Sequence, residues 1–379
     1  VREVFRERIN TLRKLIEEEQ AEALLISRCD NFAWATLGAR NYVTINSEVG
    51  SVHLLLVEDS IYILTNNIER KRIEQEELNE DVLGDVEFAE YMWSKDLWDV
   101  LKSFVQGKKL LSDTGWFDSR NVSDQLKNFR LVMSEPEIET YRWLGANCDE
   151  IFSNTMLKFS PEMTELQVQA EMSKAFFERG IEPILILVFG EESAQLYRHN
   201  LSRNVRVGKK LFVSVCVRKK GLVLSSTRSV LFGRDEDWIK QHRDNCYVEA
   251  AALASSKPGK KLSEVFEEIK KAYITVNKPH EWFLHHQGGL AGYNAREVIA
   301  NEDTDYSLKA GNVGSLSAHG PLQTNRTEKT IGSVHTGPVQ GWGERHESRI
   351  EEKFLRLMPI ELWLAPSWSS VFASPPEKL

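Results

Sequence analysis

A chain of 379 residues, 41% hydrophobic and 27% charged, has the length for two or three domains and the composition of a globular protein with a sizeable core. A formal net charge of -8 argues against a nucleic-acid binder, which would carry a basic excess. Four cysteines (Cys29, Cys148, Cys216 and Cys246) without CxxC spacing argue against a zinc ribbon or a dithiol redox motif and fit a reducing compartment.

No apolar run approaches the roughly 18 residues needed to span a bilayer. The first residues, VREVFRERINTLRKLIEEE, are charged and lack the apolar segment of a signal peptide. The expectation is a cytoplasmic protein without a membrane partner. Residues 2–20 predict an amphipathic helix, because Phe5, Ile9, Leu12 and Ile16 recur at helical spacing. A strand is expected at Ala23–Ile26, followed by a polar turn at Arg28-Cys29-Asp30-Asn31. A hairpin is expected over 51–57 and 61–65, helices over 68–77 and 94–106, and a short strand over 109–113.

Ser134-Glu135-Pro136-Glu137 has the pattern of a helix start and opens a long helix through Ile138, Tyr141, Leu144, Cys148 and Ile151. Thr164 caps a second helix, 165–179, which Gly180 ends. A strand over 184–189 and a polar loop with Arg198-His199 lead into LFVSVCVRKKGLVLSSTRSVL, two strands around a turn at Lys219-Lys220-Gly221. Ser214 and Ser225 stand eleven positions apart in this hairpin, so a tight turn is expected to bring them face to face. Helices over 236–255 and 262–273 follow, then a Gly/His loop over 284–292, then β segments at 315–317 and 328–331.

The order of these landmarks resembles the creatinase, prolidase and aminopeptidase P family, peptidase M24-like proteins of the pita-bread fold shared with methionine aminopeptidase. SEPEIETYRWLGANCDEIF resembles the family's inter-domain helix, and FSPEMTELQVQAEM its "pGmTE" helix start. GEESAQLYRHNLSRNVRVGKKLFVSV resembles the segment in which a histidine precedes the first metal-binding strand. GLVLSSTRSVLFG, HHQGGLAGYNARE and LKAGNVGSLSAHG resemble its Asp-x-Thr-Arg strand, Gly-His loop and following strand. The resemblance implies an α/β (α+β) protein: a creatinase-like N-terminal domain over 1–132, a pita-bread catalytic-type domain over 133–340 and a divergent tail over 341–379. It also implies a homodimer acting on a small molecule or peptide.

Active members hold two divalent metals through two Asp, one His and two Glu. Aligned residue by residue, those positions fall on Ser214, Ser225, Gly289, Ser317 and Glu328. Neutral serines and a glycine are poor ligands for hard divalent ions, so no metal cofactor is expected. What remains resembles creatinase, a metal-free member. His199 stands where its acid/base histidine would, and Glu328 where a substrate-binding glutamate would. Arg228, His286, Arg296 and Glu297 complete a candidate cavity for a small zwitterion or carboxylate. The resemblance thus implies a metal-independent hydrolase of an amidino or amide C–N bond. A non-catalytic binding protein on the same fold and an Xaa-Pro peptidase with a relocated metal site are the alternatives. Each residue also has a structural reading: His199 as a solvated loop residue, Arg228 in an ion pair, and Arg296 with Glu297 as an internal pair filling the place of a metal.

Overall fold

The computed structural model describes residues 2–324 and 327–338. The tail over 341–379 lies outside the described residues. The chain divides into two compact units, Val1–Pro136 with Lys219–Leu222, and Glu137–Arg218 with the residues from Val223 onward.

The first unit is built on a six-stranded mixed sheet. Its strands are β1 (Ala23–Arg28), β2 (Val49–Val57), β3 (Ser60–Asn66), β4 (Glu87–Tyr91), β5 (Leu110–Ser112) and β6 (Arg120–Asn121), in the order β4-β3-β2-β1-β5-β6. β1 runs antiparallel to β2 and parallel to β5. Ala23, Leu24, Leu25 and Ile26 are all buried, which is why this central strand reads as a continuous apolar run. The helix Arg2–Glu18 buries Phe5, Ile9, Leu12 and Leu15.

The turn expected at Arg28–Asn31 is instead the start of a helix, Cys29–Ala35, all of whose residues are buried. Buried partners satisfy its polar groups. The Asp113 carboxylate accepts from the backbone N–H of Ser27 and of Arg28 at 2.9 Å each and from Asn31 Nδ2 at 3.1 Å. Buried Arg130 pairs with Asp30 at 2.9 Å. A polar run that looks like surface is therefore an interior network.

The second unit carries a seven-stranded sheet. Its strands are β7 (Glu182–Phe189), β8 (Lys210–Lys219), β9 (Leu222–Leu231), β10 (Gly288–Ala291), β11 (Val298–Ile299), β12 (Val313–Thr324) and β13 (Thr327–Pro338), in the order β11-β10-β12-β13-β9-β8-β7. Lys220 (φ 50°) and Gly221 (φ 79°) turn β8 into β9 with both central residues left-handed, the geometry of a tight hairpin.

Alternation along this hairpin separates two faces. Val213, Val215 and Val217 are fully buried. Their face lies against the helix Glu135–Met156, where Arg228 pairs with Asp149. Ser214 and Cys216 take the other face with Ser225 and Thr227. The hairpin does not set Ser214 opposite Ser225. Thr227 Oγ1 donates to Ser214 Oγ at 2.9 Å, and Cys216 Sγ lies 3.2 Å from Ser225 Oγ. The two serines are diagonal neighbours in a polar ladder of four residues.

Candidate functional site

A cross-strand row extends this ladder through the sheet. Gly289 on β10 pairs with Ser315 on β12, which pairs with Thr336 on β13. His335 pairs with Ser226, so the antiparallel register sets Thr336 beside Ser225. Directly opposed residues share a face. Ser214, Ser225 and Gly289, three of the positions that resemble the family's metal ligands, thus lie on one sheet face with Ser315.

Their chemistry does not fit a dinuclear metal centre. Ser214 and Ser225 offer neutral hydroxyls already bonded to Thr227 and Cys216. Gly289 sits at φ +145°, and a Cβ there would lie 1.9 Å from the Val298 carbonyl oxygen. A histidine at this position is therefore sterically barred with the backbone as it stands. Arg296 brings a permanent cation to the same face, its Nη1 3.5 Å from Ser225 Oγ. Burial pulls its pKa below the usual guanidinium value, and the nearby Cys216 acts in the opposite direction. Among the described residues no group of three His, Cys, Asp or Glu side chains is placed to hold a metal ion.

Two histidines meet at the site. His199 Nε2 and His285 Nε2 lie 3.2 Å apart, with ring centroids at 5.1 Å. His285 Nδ1 is 2.7 Å from the His286 carbonyl oxygen, which can only accept. His285 therefore carries its proton on Nδ1 and receives one from His199 Nε2, which leaves Nδ1 as the basic atom of neutral His199. Burial is the largest cause pulling His285 down to about 4 and His286 to about 3, so both are neutral at pH 7.

The loop carrying His199 is anchored from below. Glu165, fully buried at the start of the helix Glu165–Glu178, accepts from Gly190 N–H at 3.2 Å, from Arg203 N–H at 3.0 Å and from Ser193 Oγ. Asn200 Nδ2 donates to the Val188 carbonyl at 2.6 Å, and Arg198 reaches Glu281 at 3.4 Å.

The expected site residues thus divide. His199, His286 and Arg296 come close enough to interact electrostatically, and the His285 and His286 ring centroids lie 4.1 Å apart, tilted by 41°. Arg228 does not join them. By alternation its side chain takes the helix face, where it pairs with Asp149, donates to Ser226 Oγ at 3.1 Å and lies over the Phe152 ring. Glu297 closes its own turn, accepting from Asn294 N–H at 3.1 Å, while Arg296 engages Ser225. The side chains of Ser317 and Glu328 lie outside the described residues. The backbone register pairs Glu328 with Gln323, eight residues along β13 from Thr336, on the order of 27 Å at the rise of a strand. His285, Thr227 and Ser315 were not marked as site residues from sequence. The strand period would have found the last two, since Thr227 and Ser315 each lie two residues from a marked serine on the same face.

The sequence pattern of metallopeptidase family M24 matches residues 139–354. The probable dipeptidase PepE of Mycobacterium tuberculosis is 23% identical over 189 residues, 48% of this chain; the match spans about half (50%) of that relative's length. The fold is shared with the prolidase of Pyrococcus horikoshii, at a TM-score of 0.73 and 15% identity over 89% of this chain and 99% of that one. It is shared also with the Xaa-Pro dipeptidase of Bacillus anthracis, at a TM-score of 0.72 and 14% identity over 90% and 99%. With the family pattern matched across more than half of its length, and the pita-bread sheet and creatinase-type first domain of its structural relatives, the chain belongs to metallopeptidase family M24.

Proposed function

We propose that this chain is a metal-independent hydrolase of a small C–N substrate, an amide or amidine that bears a carboxylate. The observation that supports it is the pairing of His199 with a neutral, tautomer-fixed His285 beside a sheet face whose donors do not suit metal ions. In this reading His199 Nδ1 takes a proton from water as its oxygen bonds to the substrate carbon. The C–N bond then breaks, and the same proton passes to the leaving nitrogen. His199 Nε2–H stays on His285 throughout, so the transient imidazolium keeps an acceptor. Glu328 has no part in this scheme.

Metal-stripped full-length protein is expected to turn over members of a panel of N-acyl and guanidino amino acids. His199→Ala is expected to lower kcat by about 10²-fold or more. Turnover unchanged in that variant would overturn the assignment. A second reading, a non-catalytic binding protein, is favoured by one observation: the Glu297 carboxylate beside Arg296 is engaged with Asn294. Saturable ligand binding with no turnover in the wild type would support it.

A further inference from the structure

We propose that Gln287, clasped by Tyr273, is the positioning residue that holds His285 as the fixed acceptor of the His199 proton. It deepens the functional reading above and rests on it, since it names what keeps the base in one tautomer. Three observations carry it.

The first is one buried amide with every N–H engaged. Gln287 and Tyr273 are both fully buried. Gln287 Nε2 donates to the Trp282 carbonyl at 3.0 Å and to the His285 carbonyl at 2.7 Å. Gln287 Oε1 accepts from the Tyr273 hydroxyl at 2.9 Å. Carbonyl oxygens can only accept, so the amide nitrogen must face them and the amide oxygen the hydroxyl. A flipped amide would set oxygen against oxygen twice.

The second is what the amide holds. It ties the His285 carbonyl back to the 3-10 turn Glu281–Leu284, across the loop that leads into β10. That turn has little apolar anchorage of its own, since Phe283 is 57% exposed and Leu284 40%. Its Trp282 ring meets Phe266 edge-on with centroids 5.6 Å apart, and Lys270 Nζ lies 4.8 Å from the Trp282 centroid. Phe266, Lys270 and Tyr273 fall at helical spacing on the helix Leu262–Thr275. One face of that helix therefore grips both the turn and the amide.

The third is the contact that depends on it. His285 Nδ1 is bonded to the carbonyl of the next residue, so its imidazole moves with the loop backbone. Its Nε2 stands 3.2 Å from His199 Nε2, at the long end of the hydrogen-bond range. An outward shift of about 0.5 Å breaks that bond. His199 then divides its proton between both ring nitrogens, and the fraction with a basic Nδ1 falls.

The test reads the His199 tautomer by nitrogen NMR of the full-length protein with isotope-labelled histidines at pH 7.5, the His199 signals being identified by their loss in His199→Ala. In the wild type a single tautomer is expected, with the proton on Nε2. Gln287→Met, close in shape but without N–H donors, is expected to mix the two tautomers. On any substrate that the wild type turns over, it is expected to lower kcat about tenfold or more while KM changes less than about twofold. Tyr273→Phe keeps the amide and frees its oxygen, and a smaller change of the same kind is expected. Should Gln287→Met fail to fold, Tyr273→Phe decides. A mixed tautomer already in the wild type, an unmixed one in the folded variants, or a loss carried by KM with kcat unchanged would overturn the positioning role. Because the tautomer is read without turnover, a wild type that turns over nothing while its tautomer responds to these variants overturns the His199 chemistry and leaves the clasp standing. Turnover lost in His199→Ala but kept in folded Gln287→Met overturns the clasp alone.

Discussion

At Gly289 a missing side chain decides what this sheet face can hold. The residue lies at φ +145°, and any Cβ would meet the Val298 carbonyl at 1.9 Å and the Ala300 nitrogen at 2.9 Å. Both obstacles are backbone, so no rotamer change relieves them. Gly289→Ala is expected to destabilise the protein by about 3 kcal/mol, from left-handed strain and the displaced strand together. Urea unfolding of wild type and variant measures this; a loss below about 1 kcal/mol would show that β10 and β11 part easily and that a ligand side chain is admissible there. Arg296 reinforces the point by placing a cation at Ser225.

At the scale of elements, periodicity carried much of the fold into view. The helix Glu236–Ser255 and the capping box of Thr164 with Gln167 stand where residue patterns place them. The hairpin of β8 and β9 follows from its apolar alternation and the Lys220-Gly221 turn. What periodicity could not give was pairing. A separation of eleven positions between Ser214 and Ser225 is compatible with opposite or diagonal placement, and only the turn register makes them diagonal. The same limit hid His285, whose partner His199 is 86 residues away, whereas the face of Arg228, three positions from Ser225, follows from the strand period alone. The buried helix Cys29–Ala35 was illegible because its polar residues find partners in Asp113 and Arg130, far along the chain.

At the scale of the whole molecule, each unit holds a histidine that burial pulls well below its ordinary pKa. His53, hydrogen-bonded to Ser27 Oγ at 2.9 Å, is pulled down to about 4 by burial. His242 is pulled to about 4 by burial first and by Arg228 second. The unfolded chain binds protons at both sites below about pH 6.5, while the folded chain does not until about pH 4. Their stability contribution is therefore present above pH 6.5 and lost as pH falls through 4, on the order of 3 kcal/mol each. Denaturation measured between pH 7 and 4 is expected to show this loss, and the double variant His53→Gln/His242→Gln to lessen its slope while His285 and His286, lowered likewise, keep their share. An unaltered slope in the double variant would place the acid sensitivity elsewhere.

The same scale holds the central claim, that a metallopeptidase fold is here kept without its metal chemistry. Elemental analysis of the full-length protein after chelation, incubation with manganese(II), cobalt(II) or zinc(II), and removal of free ion tests it most directly. Well below one ion per chain is expected for each metal. Two tightly held equivalents, accompanied by Xaa-Pro dipeptide cleavage, would contradict it.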